Sequence, residues 1–241
     1  MFGQIGAILG VDLYGLPCEY KELNKKQKVW IDNYFTTAIF PILTPLAVDP
    51  SHPFPFISNL SLNLAAIIVD SESDKEQFTR IKIPGESISR FISIPVELND
   101  KESTKYTGIA IEQIIANNLS MLFPGMSVKE YSFFRVTRDA DLELRDLEAD
   151  DLMSALEEGL RKRRKGGEVV RLEVSTNTPK VILDLLQEGM NIDKENLYQI
   201  EGLLALDELI ELTNFNLPKL KFKEHHLSLI HISEPTRRRG I

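Results

Sequence analysis

The stretch TPLAVDPSHPFPFISNLSLN, residues 44–63, decides the fold. Its prolines follow closely on Pro41 and alternate with two aromatic residues, Phe54 and Phe56. Proline lacks an amide donor and clashes with the preceding helical turn, so this stretch cannot be a helix. It is also too apolar for a loose linker, which predicts an ordered, extended loop packed on a core. A strand over 61–69 follows, with Leu62 and Leu64 on alternate positions.

The segment before this loop is predicted to be a helix over 23–43. Asn24 is a suitable N-cap residue, because its side chain can accept a bond from a free amide of the first turn. Apolar residues then recur near helical spacing, namely Val29, Trp30, Phe35 and Phe40. Pro41 and Pro45 end the pattern.

The segment after residue 69 alternates short strands with helices, without a regular strand–helix repeat. A polar turn over 70–76 leads to two short strands joined at Pro84-Gly85, which predicts a hairpin-like pair. The predicted strands are 77–83, 89–94, 128–136, 168–174 and 195–200. The predicted helices are 107–122, 148–165, 178–188 and 203–212. This order predicts an α+β fold, with a mainly antiparallel sheet and packed helices.

The composition and charge of the sequence argue against several classes of protein, including nucleic-acid-binding and membrane-spanning proteins. The 241 residues carry a net charge of -8, which argues against general nucleic-acid binding. No apolar run approaches the ~18–20 residues of a membrane span, and residues 1–11 lack the charged start of a signal peptide. Cys18 is the single cysteine, which excludes an internal disulfide and a cysteine-based zinc site. We therefore expect a cytoplasmic protein without a membrane span or a nucleic-acid partner.

The common catalytic motifs are absent from the sequence: it has no phosphate loop, dinucleotide-binding glycine motif, HExxH or GxSxG. His52 suits either a functional role, as a phosphate contact or general base, or a structural role as a turn cap, since a neutral imidazole serves both. The basic run Arg161–Lys165 suits either a polyanion site or the C-terminal end of a helix that opens with Glu148 and Asp150.

The segment FFRVTRDADLEL, residues 133–144, carries the candidate phosphate contacts Arg135 and Arg138. Asp139 and Asp141 lie next to them, so arginine–carboxylate pairs could form a structural corner. Alternatively, one guanidinium faces a phosphate chain, because arginine matches phosphate oxygens well. The two acids could also hold magnesium, although two carboxylates alone are a weak indication.

Three of these segments together resemble one family, polyphosphate kinase. They are YFTTAIFPILTPLAVDPSHPFPFISNLSLNLA (34–65), IIANNLSMLFPGM (114–126) and FRVTRDADLEL (134–144), the last followed by an acidic helix and VVRLEV (169–174). The resemblance runs from about Leu13 to about Lys221. It implies an enzyme that moves the terminal phosphoryl of ATP onto polyphosphate, with magnesium and through a phosphohistidine.

The resemblance implies four parts in the complete enzyme: a helical N-terminal domain, a head domain and two C-terminal domains. Residues 1–46 resemble the end of the N-terminal domain, and residues 47–223 resemble the head or middle domain. The phosphohistidine stretch, like KIHAKL, has no counterpart here. We therefore expect no catalytic, cofactor-binding or metal-binding residue in this chain, and no kinase activity from it alone. ATP, Mg²⁺ and polyphosphate belong to the complete enzyme, and the resemblance implies a homo-oligomer formed through the head domain.

The last residues depart from the family pattern. LSLIHISEPTR, residues 227–237, reads as one frame of a transposon-end sequencing adapter. We interpret residues 224–241 as a non-native tail, so no site is built on His225, His226 or His231. An alternative from another class remains: a stand-alone, head-like module that binds a partner chain or a polyanion.

Overall fold

A computed structural model describes residues 18–48, 54–85, 87–99, 107–139 and 167–214. Its strands are β1 (Leu46–Val48), β2 (Leu62–Asp70), β3 (Glu76–Lys82), β4 (Phe91–Ile94), β5 (Thr107–Ala110), β6 (Met126–Arg138), β7 (Val169–Ser175) and β8 (Leu197–Ile200). Its α-helices are α1 (Lys25–Tyr34), α2 (Ile111–Asn117), α3 (Leu119–Leu122) and α4 (Lys180–Met190). Short 3-10 helices cover Tyr20–Glu22, Phe40–Ile42, Val96–Leu98, Lys194–Asn196 and Leu206–Asn214, and a π-helical turn covers Phe35–Ile39.

A six-stranded sheet in the order β1-β3-β2-β6-β7-β8 is the centre of the fold. Neighbouring strands are antiparallel except β7 and β8, which run parallel. The central pair is β2 with β6, from Leu62 opposite Arg135 to Asp70 opposite Met126, with an irregularity between Ile67 and Ile68. Strands β4 and β5 form a separate two-stranded sheet. The predicted α+β class with a mainly antiparallel sheet is confirmed.

Apolar clusters cover both faces of the central sheet, because successive strand residues point to opposite faces. On one face, Leu62, Leu64 and Ala66 of β2 pack with α2 and with the helical run that begins at α1. On the other face, Ala65 and Ile67 pack against α4. Ile182 and Leu186 of α4 are fully buried there.

The helical run at Lys25–Ile42 starts as the sequence predicts. The side chain of Asn24 accepts a bond from the Gln27 amide, and the Gln27 side chain accepts from the Asn24 amide, both at 2.9 Å. The regular α-helix ends at Tyr34, however, and continues as the π-helical turn and then a 3-10 helix. The buried stripe is Ile31, Phe35 and Ile39, whereas Val29 is 70% exposed.

The predicted hairpin across Pro84-Gly85 is wrong. Both strands exist, but β3 pairs with β1 and β2, whereas β4 pairs with β5. The reason is that β4 pairs with a strand that follows it rather than with β3. Phe91 of β4 lies opposite Ala110 of β5, and the loop between β4 and β5 is much longer than a hairpin turn. A turn-forming dipeptide fixes a change of chain direction but not which strand becomes the neighbour.

Three further element boundaries differ from the sequence prediction. The predicted helix 107–122 begins as strand β5 and is then interrupted between α2 and α3 at Asn118. The loop after Pro45 contains the edge strand β1, whose residues Leu46–Val48 pair with Phe78–Arg80. The predicted helix 203–212 is a 3-10 helix over Leu206–Asn214.

Helix α4 is held close to the loop residue Phe54. Pro179 is its N-cap residue, and Asn191 ends it in the left-handed conformation at φ 50°. A Cβ atom added at Gly189 would lie 2.2 Å from the Phe54 ring, so only glycine permits this approach. Phe54 in turn stacks on Phe78 of β3 at 5.8 Å between ring centroids.

Several predictions lie outside the described residues, including the helix 148–165 and the tail 224–241. The domain boundary near residue 46 stays a prediction. Within the described ranges, the structure contains no helix long and apolar enough to cross a membrane.

Candidate functional site

The candidate residue Arg138 lies at the end of β6, where its side chain joins three parts of the chain. Its Nε donates to the Ile57 carbonyl at 2.7 Å, and its Nη1 donates to the Gly167 carbonyl at 2.7 Å. Its guanidinium also lies 4.3 Å from the centroid of the Phe56 ring. Burial lowers the pKa of Arg138 from its ordinary value, yet an arginine in a protein stays charged.

An open cleft of about 610 Å³ lies beside Arg138. Its lining includes Phe54 and Phe56 from the proline-rich loop, Glu168 before β7, and Gly189 and Asn191 at the end of α4. The cleft therefore combines one guanidinium with one carboxylate and two aromatic rings. Since Arg138 is only partly buried, this charge can be reached from the solvent.

The second candidate, Arg135, has a different environment, on the opposite face of the sheet. Its side chain is 9% exposed and lies 3.8 Å from Glu173 and 2.9 Å from Asp207. Its Nε donates to the Leu60 carbonyl at 3.1 Å. Arg135 thus forms a structural corner, with carboxylates that come from β7 and from the 3-10 helix Leu206–Asn214.

The remaining sequence candidates are only partly described. Asp139 lies directly after β6, and its backbone amide donates to the Glu168 carbonyl at 2.9 Å. His52, Asp141 and Arg161–Lys165 lie outside the described residues. In the part of the chain that the structure describes, no group of three or more His, Cys, Asp or Glu could hold a metal ion. The alternative that Asp139 and Asp141 hold magnesium stays a prediction, because Asp141 lies outside the described residues.

Sequence reasoning missed a buried ionic cluster around Arg90, which precedes β4. The Arg90 guanidinium lies 2.6 Å from Glu112 of α2, and both side chains are almost fully buried. The same guanidinium donates to the carbonyls of Leu204 and Ala205, each at 2.8 Å. No local pattern marks this residue, because its partners lie far away along the chain.

The sequence of this chain matches the model of a known protein family. The sequence model of the polyphosphate kinase middle domain matches residues 26–212. The chain belongs to the polyphosphate kinase family. The predicted resemblance is thereby confirmed, and the matched range contains Arg90, Arg135 and Arg138.

Several relatives of this chain are named polyphosphate kinase. The chain is 57% identical over 208 residues to a polyphosphate kinase of Prochlorococcus marinus. The aligned region covers 86% of this chain and 29% of that protein. It is 49% identical over 206 residues to a polyphosphate kinase of Aphanizomenon baltica, covering 84% of this chain and 53% of that protein. The chain thus spans less than a third of the length of the first relative and about half of the second.

The fold also resembles the crystal structure of polyphosphate kinase from Porphyromonas gingivalis. The TM-score is 0.72, and the match covers 98% of this chain and 33% of that chain. Sequence identity is 23%, so this match supports the fold alone.

Proposed function

We propose that this chain is the middle part of a polyphosphate kinase that transfers the terminal phosphoryl of ATP to a growing polyphosphate chain. The observation that supports this function is the match of the family's middle-domain model to residues 26–212. The complete enzyme would use Mg²⁺ and a phosphohistidine, as the family resemblance implies, and it would act in the cytoplasm as a homo-oligomer.

This chain alone would have no kinase activity. Phosphoryl transfer needs a nucleophile, a metal and cationic groups in one arrangement. The four histidines are His52, His225, His226 and His231, and none lies among the described residues. The described residues also include no group of three or more His, Cys, Asp or Glu that could hold a metal ion. The reacting groups would therefore come from other parts of the complete enzyme.

Within the middle part, we assign the phosphate contact to Arg138 rather than to Arg135. Arg138 lines an open cleft, and two of its contacts are to neutral backbone carbonyls. Arg135 instead faces the carboxylates Glu173 and Asp207, which offset its charge. A polyanion is attracted more strongly by a cation without a carboxylate at ion-pair distance, and among the described residues none lies at that distance from Arg138.

The test is a radiolabelled-ATP assay on two proteins, this purified chain and the complete enzyme obtained by reading the source DNA beyond the codon for Lys221. We expect polymer formation from the complete enzyme and none from the chain. Polymer formation by the chain would contradict its proposed inactivity. A complete enzyme without this activity would overturn the proposed function. The stand-alone module is not supported, because the relatives above are named polyphosphate kinase and are longer.

A further inference from the structure

The Arg90 cluster joins segments that are distant along the chain. Arg90 precedes β4, and Glu112 belongs to α2, which follows the partner strand β5. The two carbonyl acceptors, of Leu204 and Ala205, lie 114 and 115 residues further along the chain. One buried guanidinium therefore fixes the path of the chain just before the 3-10 helix Leu206–Asn214.

Acidic residues of that 3-10 helix add to the same cluster. Glu208 lies 3.2 Å from the Arg90 guanidinium. Glu211 accepts bonds from the Arg90 backbone amide at 3.0 Å and from the Ser89 hydroxyl. Two carboxylates of one short helix are thus directed at Ser89 and Arg90.

Part of this helix has the reverse of the polarity of an ordinary surface helix, although Leu209 and Leu212 are half-buried. Glu208 and Glu211 face the protein, while Leu206 and Ile210 are 57% and 72% exposed. A surface helix normally packs its apolar side chains inward and its charges outward. Polar contacts to Arg90, the ion pair of Asp207 with Arg135 and the buried Leu204 that precedes the helix therefore all help to hold it in place.

The backbone just before the helix is in an unfavourable conformation. Ala205 has φ 52°, in the left-handed region that a residue with a Cβ rarely adopts. Such a conformation persists when surrounding contacts determine it. Here the Ala205 carbonyl accepts a bond from Arg90, and its side chain is buried.

We infer that Arg90 is a positioning residue that sets the direction in which the chain leaves the sheet through Leu204–Glu211. This inference rests on the proposed function, in which the parts that carry the reacting groups follow this segment in the complete enzyme. Phosphoryl transfer is sensitive to small displacements of the reacting groups. Removal of Arg90 therefore lowers kcat in the complete enzyme, while the ATP-binding groups themselves are unchanged.

The first test uses the 241-residue chain and does not depend on activity. Hydrogen exchange is compared between wild type, Arg90→Met and the matched variant Arg80→Met. Arg80 is also a buried arginine, but its Nε donates to Asn63 within the sheet at 2.7 Å, on the face that α4 covers. We expect amides of residues 204–211 to exchange at least about tenfold faster in Arg90→Met only. Equal exchange of this segment in both variants would overturn the inference.

The second test uses the complete enzyme. We expect Arg90→Met to lower kcat about tenfold at an unchanged KM for ATP, and Arg80→Met to retain wild-type kcat per folded molecule. If Arg90→Met does not fold, Arg90→Lys serves instead, because lysine keeps the charge but lacks the planar fork that reaches both carbonyls and Glu112. A wild-type kcat in the Arg90 variant would refute the positioning role. An inactive wild-type enzyme would refute the proposed function and leave the exchange result to stand.

Discussion

Arg135 of β6 and Asp207 of the 3-10 helix Leu206–Asn214 form an ion pair at 2.9 Å across 72 residues of sequence. The two partners differ in environment: the Arg135 side chain is 9% exposed, whereas that of Asp207 is 60% exposed. Arg135 also faces the buried carboxylate of Glu173 and donates a hydrogen bond to the Leu60 carbonyl. Leu60 has φ 57°, so this arginine stabilises a left-handed residue, as Arg90 does at Ala205.

Removal of Arg135 should cost far more stability than removal of its exposed partner. Arg135→Met leaves Glu173 buried beside fewer cations, and breaking a buried ion pair costs about 3–5 kcal/mol. We expect the lower end of that range, because Arg171 still lies 2.8 Å from Glu173. Asp207→Asn should cost at most about 1 kcal/mol, as for exposed pairs. Urea denaturation of the two variants measures both values, and equal losses would contradict this account.

Gly189→Ala should destabilise the contact between α4 and the proline-rich loop. Alanine in a helix interior normally gains about 1 kcal/mol over glycine. Here its Cβ would meet the Phe54 ring at 2.2 Å, and overpacking typically costs about 1–3 kcal/mol. We expect a net loss of stability in urea denaturation.

The matched controls for this prediction are Gly85→Ala, where no atom lies within 4 Å of the added Cβ, and the double variant Gly189→Ala/Phe54→Ala. The double variant removes the ring that causes the clash, so the two changes should be non-additive by about 1 kcal/mol or more. Additive effects would mean that Phe54 is not the obstacle.

The strands of the central sheet, except the edge strand β1, could be predicted from the sequence because their signal is local. Alternation of apolar residues located β2 and β6 to within a few residues, and the capping residue Asn24 located the start of α1. The pairing of β4 with β5 could not be predicted, because it depends on packing against residues distant in sequence. The same limit applies to Arg135 and Arg90, whose carboxylate partners come from other elements.

The sequence indicated both Arg135 and Arg138 because the two residues lie near the end of one strand, β6. Their side chains nevertheless lie in different environments, because the residues are three positions apart along the strand. A β-strand sends successive residues to opposite faces. The sequence therefore indicated the right strand end, while only the structure distinguishes the buried guanidinium from the accessible one.

The Cys18 thiol should react slowly while the chain is folded. Burial raises the pKa of Cys18 to about 11, with a further contribution from Glu22. At pH 8 the thiolate fraction is then roughly two orders of magnitude below that of an ordinary thiol with a pKa near 8.5. Iodoacetamide labelling at pH 8, with and without urea, measures the difference. Since the Cys18 amide donates to the Gly108 carbonyl at 2.8 Å, fast labelling of the folded chain would mean that this contact to β5 is not formed.

Glu208→Gln should change how stability depends on pH. Burial raises the pKa of Glu208, and nearby carboxylates including Glu112 act in the same direction, against the effect of Arg90. A carboxyl with a raised pKa in the folded state contributes stability below its unfolded pKa of about 4.3 and loses that contribution as pH rises through the folded pKa. The stability of Glu208→Gln relative to wild type should therefore increase from about pH 4 towards pH 7. Urea denaturation across this window gives the result, and a constant difference would contradict it.

Arg138 offers a test that separates a phosphate contact from a structural corner. The chain provides a matched control in Arg171, whose guanidinium also lies 4.3 Å from an aromatic centroid, that of Tyr198. Arg171 lies on the other face of the sheet, since its neighbour Leu172 packs in the cluster under α4. Arg138→Gln and Arg171→Gln remove the same charge and the same type of ring contact.

In the complete enzyme, Arg138→Gln should weaken polyphosphate binding about tenfold and reduce the slope of log K against log salt by about one, because one phosphate contact is lost. Its Tm should also fall, since the Ile57 and Gly167 carbonyls lose their donor. Arg171→Gln should lower Tm without changing affinity or slope, because its guanidinium does not line the cleft beside Phe56. Equal effects of the two variants on affinity would show that binding follows net charge or stability, and Arg138 would then be a structural residue.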